Sequence, residues 1–326
     1  MNSTLAFFCD DGSTSTKLAW FDNGALKTLV IENGFIEQWS NSFTQKAFNY
    51  ILDEEKYSYS PFDENIVKTT NINYQYRPIN TVGIQHALQC SGIKPQKVNL
   101  IVTLPITEYY TSDAQINDAN IERKIRNVKR KITMQDNAPV FTFAEITVMP
   151  ESIPAVAPIL TPELVGEHDM TLVVDLGGTT LDCGLIRGRF ESVVRTTGDA
   201  KLGAGAIIKE VQLKLFNSNT PSNYNHTDTL IRNILSGKEW EHKINDKGQI
   251  SVIKQTLEQA IKKTSRKVIE HIEENYSQFH RIYITGGGAE FIFDELSKRW
   301  TSQGVAVQKL NEPQIALVKA ISQLSE

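Results

Sequence analysis

The apolar residues of this chain fall into short runs separated by polar turns, and one arrangement of runs and turns occurs twice. The first copy starts with Leu5-Ala6-Phe7-Phe8, passes a polar turn at Asp10-Asp11-Gly12-Ser13-Thr14, and continues into Leu18-Ala19-Trp20-Phe21. An Asp22-Asn23-Gly24 turn then leads to a third run from Leu26 to Ile31. Short apolar runs bounded by Gly, Asn and Asp predict strands, and Asn-Gly between two of them predicts a hairpin, because both residues accept the positive φ of a tight turn. The second copy runs Leu172-Val173-Val174, a turn Asp175-Leu176-Gly177-Gly178-Thr179-Thr180, a strand Leu181 to Ile186, a turn Arg187-Gly188-Arg189 and a strand Phe190 to Val194. Half a chain separates the copies, and a duplicated unit is the economical explanation.

Between the copies, Asn80 to Cys90 predicts a helix ended by Gly92, Val98 to Leu104 a strand closed by Pro105, Asn117 to Lys131 a helix, and Phe141 to Met149 a strand before Pro150. Gly34 to Thr70 is polar and dotted with aromatics, and Asn217 to Gly248 is polar and rich in Asn; both read as insertions. Ile253, Leu257, Ile261, Val268 and Ile272 recur at spacings of four and seven, one face of a long helix. A strand at Ile282-Tyr283-Ile284, a Gly286-Gly287-Gly288 turn and a helix from Pro313 to Leu324 complete the pattern, an α/β protein.

With 326 residues the chain fits two units, each able to bury a core. A hydrophobic fraction of 40% and a net charge of -4 describe an ordinary globular surface with no overall attraction for nucleic acid, so direct DNA contact is not expected. No window has the apolar length of a membrane span, and the N-terminal segment lacks a basic leader, so a cytoplasmic location without membrane attachment is expected. Cys9, Cys90 and Cys183 have no metal spacing and read as reduced, buried thiols. Arg123, Lys124, Arg126, Lys129, Arg130 and Lys131 crowd one predicted helix; a solvated face is the first reading, a subunit contact the second. Tyr74, Tyr76, Tyr109 and Tyr110 read as packing, and the six histidines show no ligand spacing.

The chemistry concentrates in the two turns of the repeat. A strand-turn-strand loop of Gly, Ser and Thr can wrap backbone N–H groups and hydroxyls around phosphate oxygens, because Gly lets the main chain approach closely. Asp11, Gly12, Ser13 and Thr14 meet that demand, with Lys17 one step on as a point charge, and Gly177, Gly178, Thr179 and Thr180 meet it from the second half. Asp10 and Asp175, which open the loops, could hold Mg²⁺ through water. A single loop of this kind is most simply an ordinary tight turn; two in matched positions are not.

These loops, the segment Met149-Pro150-Glu151-Ser152-Ile153-Pro154-Ala155 and the turn Gly286-Gly287-Gly288-Ala289-Glu290 resemble, in order and spacing, the phosphate, connecting and adenosine motifs of the actin, sugar-kinase and heat-shock-70 superfamily. Within it, Thr103-Leu104-Pro105-Ile106-Thr107-Glu108-Tyr109-Tyr110 and Met-Pro-Glu-Ser-Ile-Pro are similar to the plasmid-segregation actins of the ParM/StbA family. The resemblance implies an actin-like fold: two ribonuclease-H-like lobes closing on ATP or ADP with Mg²⁺. Residues 1–165 would form lobe I with an inserted subdomain at about 34–79, and 166–326 lobe II with one at about 210–249, the last helix being free to pack back on lobe I. It implies Glu151 and Asp175 as catalytic carboxylates and Gly286, Gly287, Gly288 and Ala289 as the adenosine turn. It further implies an ATPase that polymerises into filaments, segregates plasmid DNA and uses hydrolysis as a disassembly timer, with a ParR-type DNA-binding adaptor as partner. The alternative within the superfamily is a small-molecule kinase of sugar type, for which no acceptor-binding Asp motif is present in the sequence. A chaperone-like or membrane-scaffold relative is disfavoured by the short stretch after the last helix and by an N-terminal segment without amphipathic helical pattern.

Overall fold

In the computed structural model, which describes residues 4–41 and 47–324, the doubled pattern becomes two five-stranded sheets with the same strand order. β1 (Ala6–Asp11), β2 (Ser15–Asp22) and β3 (Ala25–Glu32) are successive antiparallel neighbours. Asn23 and Gly24, at φ 50° and 77°, make the second turn as their types predict. The chain then forms β4 (Phe35–Ile36), β5 (Asn49–Leu52) and β6 (Glu55–Tyr59) and returns through α1 (Pro78–Cys90) to β7 (Lys97–Leu104), parallel to β1. After the short α2 (Ile106–Tyr109) come α3 (Asp118–Val128), β8 (Ile132–Met134) and β9 (Thr142–Pro150), and β9 lies parallel to β7. The order is β3-β2-β1-β7-β9.

The second sheet repeats it. β10 (Met170–Leu176), β11 (Leu181–Arg187) and β12 (Ser192–Asp199) are antiparallel neighbours. Then follow α4 (Gly205–Asn217), α5 (Tyr224–Leu235), α6 (Ile250–Asn275), β13 (Arg281–Thr285), α7 (Ala289–Thr301), β14 (Ala306–Lys309) and α8 (Ala316–Leu324). β13 runs parallel to β10, giving β12-β11-β10-β13-β14. Among the described residues no helix is long and apolar enough to cross a membrane.

The middle stretches of the central strands, Ala6 to Cys9 of β1 and Leu172 to Val174 of β10, are apolar at every position because both of their faces are covered. On β1, Phe7 and Cys9 pack with Ile84 and Leu88 of α1, while Phe8 faces Val318 and Ile321 of α8. On β10, Leu172 and Val174 join the Ile253, Leu257, Val268 and Ile272 stripe of α6, while Val173 meets Leu317 of α8 and Ile153. Thus α8, last in the chain, is shared: Leu317 packs with the second sheet, Val318 and Ile321 with the first.

Several expectations shift. The strand expected at Phe190 to Val194 starts at Ser192, because Phe190 sits at φ 76° inside the turn. The helix expected over Asn117 to Lys131 is shorter, Asn117 being its cap: its side-chain oxygen accepts the Asn120 N–H at 3.2 Å. The polar stretch after Gly34, of which residues 42–46 lie outside the described residues, supplies β4–β6, and their small sheet takes its fourth strand from β8. The stretch from Asn217 to Gly248 contains α5, a helix with one buried apolar edge at Leu230 and Ile231. Cys9 and Cys183 are buried and unpaired, as expected of small hydrophobes, whereas Cys90, also unpaired, is only half-buried at the end of α1.

Candidate active site

β1 ends in two adjacent acids, and strand alternation sends them opposite ways. Asp10 faces a cavity, opposite Lys17 of β2, whose Nζ lies 3.0 Å from its carboxylate. Burial disfavours the Lys17 charge, but Asp10, joined by Glu151 and Asp175, outweighs it and holds the ammonium above its ordinary range. The turn Gly12-Ser13-Thr14 follows on the same rim. From the second sheet, Asp175, Gly177, Gly178, Thr179 and Thr180 line the facing wall. The two turns touch: the Ser13 and Thr179 hydroxyls are 2.6 Å apart, and a Cβ on Gly178 would collide with the Thr14 side chain. Only glycine permits that approach.

Glu151, immediately after β9, and Gly286 and Gly287, after β13, also line the cavity. Gly286 has φ 86°, and a Cβ there would strike the Asp175 carboxylate, so glycine is required twice over. Three of the expected residues lie elsewhere. Gly288 donates its N–H to the Leu176 carbonyl at 2.8 Å and packs on that side chain, and Ala289 is the buried first residue of α7. Asp11 is fully buried on the far side of β1, away from the cavity.

There Asp11 meets Lys124, which corrects the reading of α3 as a solvated basic face. The Lys124 side chain has no exposure; its ammonium pairs with the Asp11 carboxylate, donates to Gln75 Oε1, and reaches Asn80 Oδ1 at 3.1 Å. Three acceptors satisfy its three N–H groups. Asp11 is completed by Asn80 Nδ2 at 2.6 Å and the Thr103 N–H at 3.2 Å. Arg123 covers the Tyr76 ring at 3.9 Å and Arg130 pairs with Asp53, so much of the helix's charge is engaged within the chain.

The cavity is short of positive charge. Burial, then Asp182 and Asp10, push the Asp175 carboxyl up to about 7, against the pull of Lys17. Asp182 stands opposite Asp175 across the β10–β11 pair and is itself pushed to about 6 by burial, although Thr180 Oγ1 donates to it at 2.8 Å. Glu151 is raised well above the carboxylate range, first by burial and then by Asp10, Asp182 and Asp175. A divalent cation neutralises such an excess of carboxylate, and the N–H and hydroxyl groups of the two turns are donors for phosphate oxygens.

The sequence reading missed one wall. Asn225, Asp228 and Arg232 of α5, with Tyr224, Glu32 and Gln75, line the cavity. Arg232 pairs with Asp228 at 2.9 Å and donates to the Gly287 carbonyl at 2.9 Å, bracing the Gly-rich turn. Asn225 Nδ2 donates to the Asn33 carbonyl at 3.3 Å, across the cavity. Glu32 is raised by burial and by Asp228, with Arg232 opposing. Asn225, Asp228 and Arg232 lie three and four residues apart, the spacing of one helix face, and that spacing after a capping Asn223 was the available signal.

Comparison with known proteins places this geometry. A family model described as the N-terminal part of the plasmid segregation protein ParM matches residues 5–161, and one for its C-terminal part matches residues 165–324. No curated protein sequence compared with the chain matches it. Among solved structures, a non-polymerisable quadruple mutant of pCBH ParM is 17% identical over 99% of each chain, with a TM-score of 0.73. A 15-stranded ParM filament from Clostridium botulinum gives 15%, 99% of each chain and 0.71. An archaeal actin homologue in complex with ADP gives 16%, 98% of each chain and 0.70. At such identities the structural likeness speaks for the fold, which is actin-like. The two family models lie end to end over almost the whole chain, one for each of the matched sheets that face each other across the cavity, and the chain therefore belongs to the ParM/StbA family of plasmid segregation proteins.

Proposed function

We propose that this protein is a magnesium-dependent ATPase that assembles into filaments and segregates plasmid DNA, hydrolysis acting as a timer for disassembly. The observation that carries the reading is the convergence of two phosphate-type turns, from matched positions of two matched sheets, on a cavity that also holds Glu151. Ser13, Thr14 and Lys17 would hold the β- and γ-phosphates from one side, and Gly177, Gly178, Thr179 and Thr180 from the other. Gly286 and Gly287 would lie against the adenosine and its α-phosphate. Asp10 and Asp175 would hold a hydrated Mg²⁺, and the raised Asp175 carboxyl fits that role, since a dication supplies the charge the site lacks. When bound, the ion would neutralise phosphate charge as the terminal P–O bond breaks.

Glu151 would orient the attacking water and accept its proton as the new P–O bond forms. The subunits would associate with one another, and a small DNA-binding adaptor of ParR type would tie the filament to DNA, as the chain's own charge of -4 favours. ATP would shift the molecule toward a closed shape that polymerises, and hydrolysis would weaken the lattice. The test is Glu151→Ala. It removes the water-positioning group and none of the phosphate contacts, so phosphate release should fall roughly 10²- to 10⁴-fold, while ATP binds and sedimentable polymers form and persist. Hydrolysis at the wild-type rate would remove Glu151 from the mechanism; normal ATP binding without polymers would remove the timer. Transfer of phosphate to a sugar hydroxyl would favour a kinase instead.

A further inference from the structure

Among the described residues, one side chain is within hydrogen-bond distance of the Glu151 carboxylate: Gln75, whose Nε2 lies 3.5 Å from Oε1. Gln75 sits in the 3-10 turn Ile72–Tyr76 that leads into α1, is 3% exposed, and lines the cavity. An amide can present either end to a neighbour, but here both ends are dictated. The Lys124 ammonium carries donors only, so the end facing it must be the oxygen. On the other side, the Asp11 carbonyl, 3.3 Å from Nε2, can only accept. Two independent neighbours thus turn the nitrogen end of the amide toward Glu151, one N–H going to the Asp11 carbonyl and the other to the carboxylate. Lys124 cannot swing away, because the buried Asp11 and Asn80 hold it from two further directions. The contact to Glu151 is the longest of the set, as expected where a catalytic hydrogen bond tightens only with substrate in place.

Resting on the hydrolytic role of Glu151 above, we propose that Gln75 is a positioning residue for the reaction: locked by Lys124, its amide donates to one oxygen of Glu151 and leaves the other directed at the attacking water. A carboxylate free to rotate would spread its acceptor oxygens over many directions, and misplacement by about 1 Å costs on the order of 10²-fold in rate. The network Asp11–Lys124–Gln75–Glu151 also accounts for a lysine carried into the interior on a helix whose Ile121, Ile125 and Val128 pack in the core.

Five full-length proteins test this: wild type, Gln75→Met, Gln75→Glu, Glu151→Gln and the Gln75→Met, Glu151→Gln double variant, each assayed for single-turnover phosphate release at saturating ATP and Mg²⁺, with ATP affinity measured separately. Gln75→Met should lower the rate about 10- to 100-fold with affinity within about twofold, and should lower it no further in the Glu151→Gln background, because a residue acting through Glu151 has nothing left to act on. Gln75→Glu, which keeps the acceptor for Lys124 and turns an acceptor toward Glu151, should lose at least as much. Wild-type rates in Gln75→Met, or the same fold-loss with and without Glu151, would overturn the proposal. Glu151→Gln turning over at the wild-type rate would instead remove the reading of Glu151 on which it stands.

Discussion

Lys124 shows how far a single residue can depart from what its neighbourhood in the sequence implies. It lies in a run of six basic residues between positions 123 and 131, yet its side chain is fully enclosed. A buried pair is weak evidence for stability in itself, but removing one member leaves a bare charge in the interior. Lys124→Met should therefore cost about 3–5 kcal/mol in urea unfolding, and adding Asp11→Asn should recover much of it, since Asn keeps an oxygen for the Thr103 N–H. A double variant as unstable as Lys124→Met would show that shape, not charge, sets the cost. Strand alternation explains why Asp10 lines the cavity and Asp11 does not: the sequence reading assigns both to one loop, whereas both belong to β1 and its pleat separates them.

Among elements, those with a clear period were legible. The central strands announce themselves as apolar runs, and α6 by its Ile253 to Ile272 stripe. The α5 helix was hidden because its cavity face is polar: Asn225, Asp228 and Arg232 look like a loop composition until placed on a 3.6-residue period. The hairpins carry a difference that matched loops obscure. Asp10 stands opposite Lys17, whereas its counterpart Asp175 stands opposite Asp182, so one half neutralises its carboxylate and the other doubles it. In α5 itself, the Arg232–Asp228 pair is partly exposed and four residues apart, which makes it worth only about 0.3–0.5 kcal/mol. Arg232→Ala should thus leave the unfolding midpoint nearly unchanged while weakening ADP binding through the loss of its brace on Gly287. Calorimetric titration beside thermal melts checks this; a large drop in stability with unaltered affinity would give Arg232 a purely structural part.

For the whole molecule, the meeting of two sheets gathers Asp10, Glu151, Asp175 and Asp182 into one seam. Asp175 binds its proton up to about 7 and Asp182 up to about 6 in the folded chain, against an ordinary 3.8 when unfolded. Over that interval the folded state holds more protons than the unfolded one, so stability falls as pH rises through it. The nucleotide-free protein should accordingly melt at a higher temperature near pH 6 than near pH 8, and nucleotide with Mg²⁺ should flatten the difference; a midpoint that climbs with pH would contradict the charge assignment. The contacts that bridge the cavity, such as Ser13 with Thr179 and Asn225 with Asn33, are polar and easily broken. The apolar crossing is of another kind: the chain passes from β9 into the 3-10 turn Ile153–Val156, and α8 returns to lay Val318 and Ile321 on the first sheet. A joint crossed by one strand can swivel freely, whereas one crossed at two separated points retains a single easy rotation, about the line through both. Glu151 lies at the foot of the first crossing, between β9 and that turn. In such a molecule the two halves would turn about their two crossings, and Glu151, beside the first of them, would be the acid that moves least.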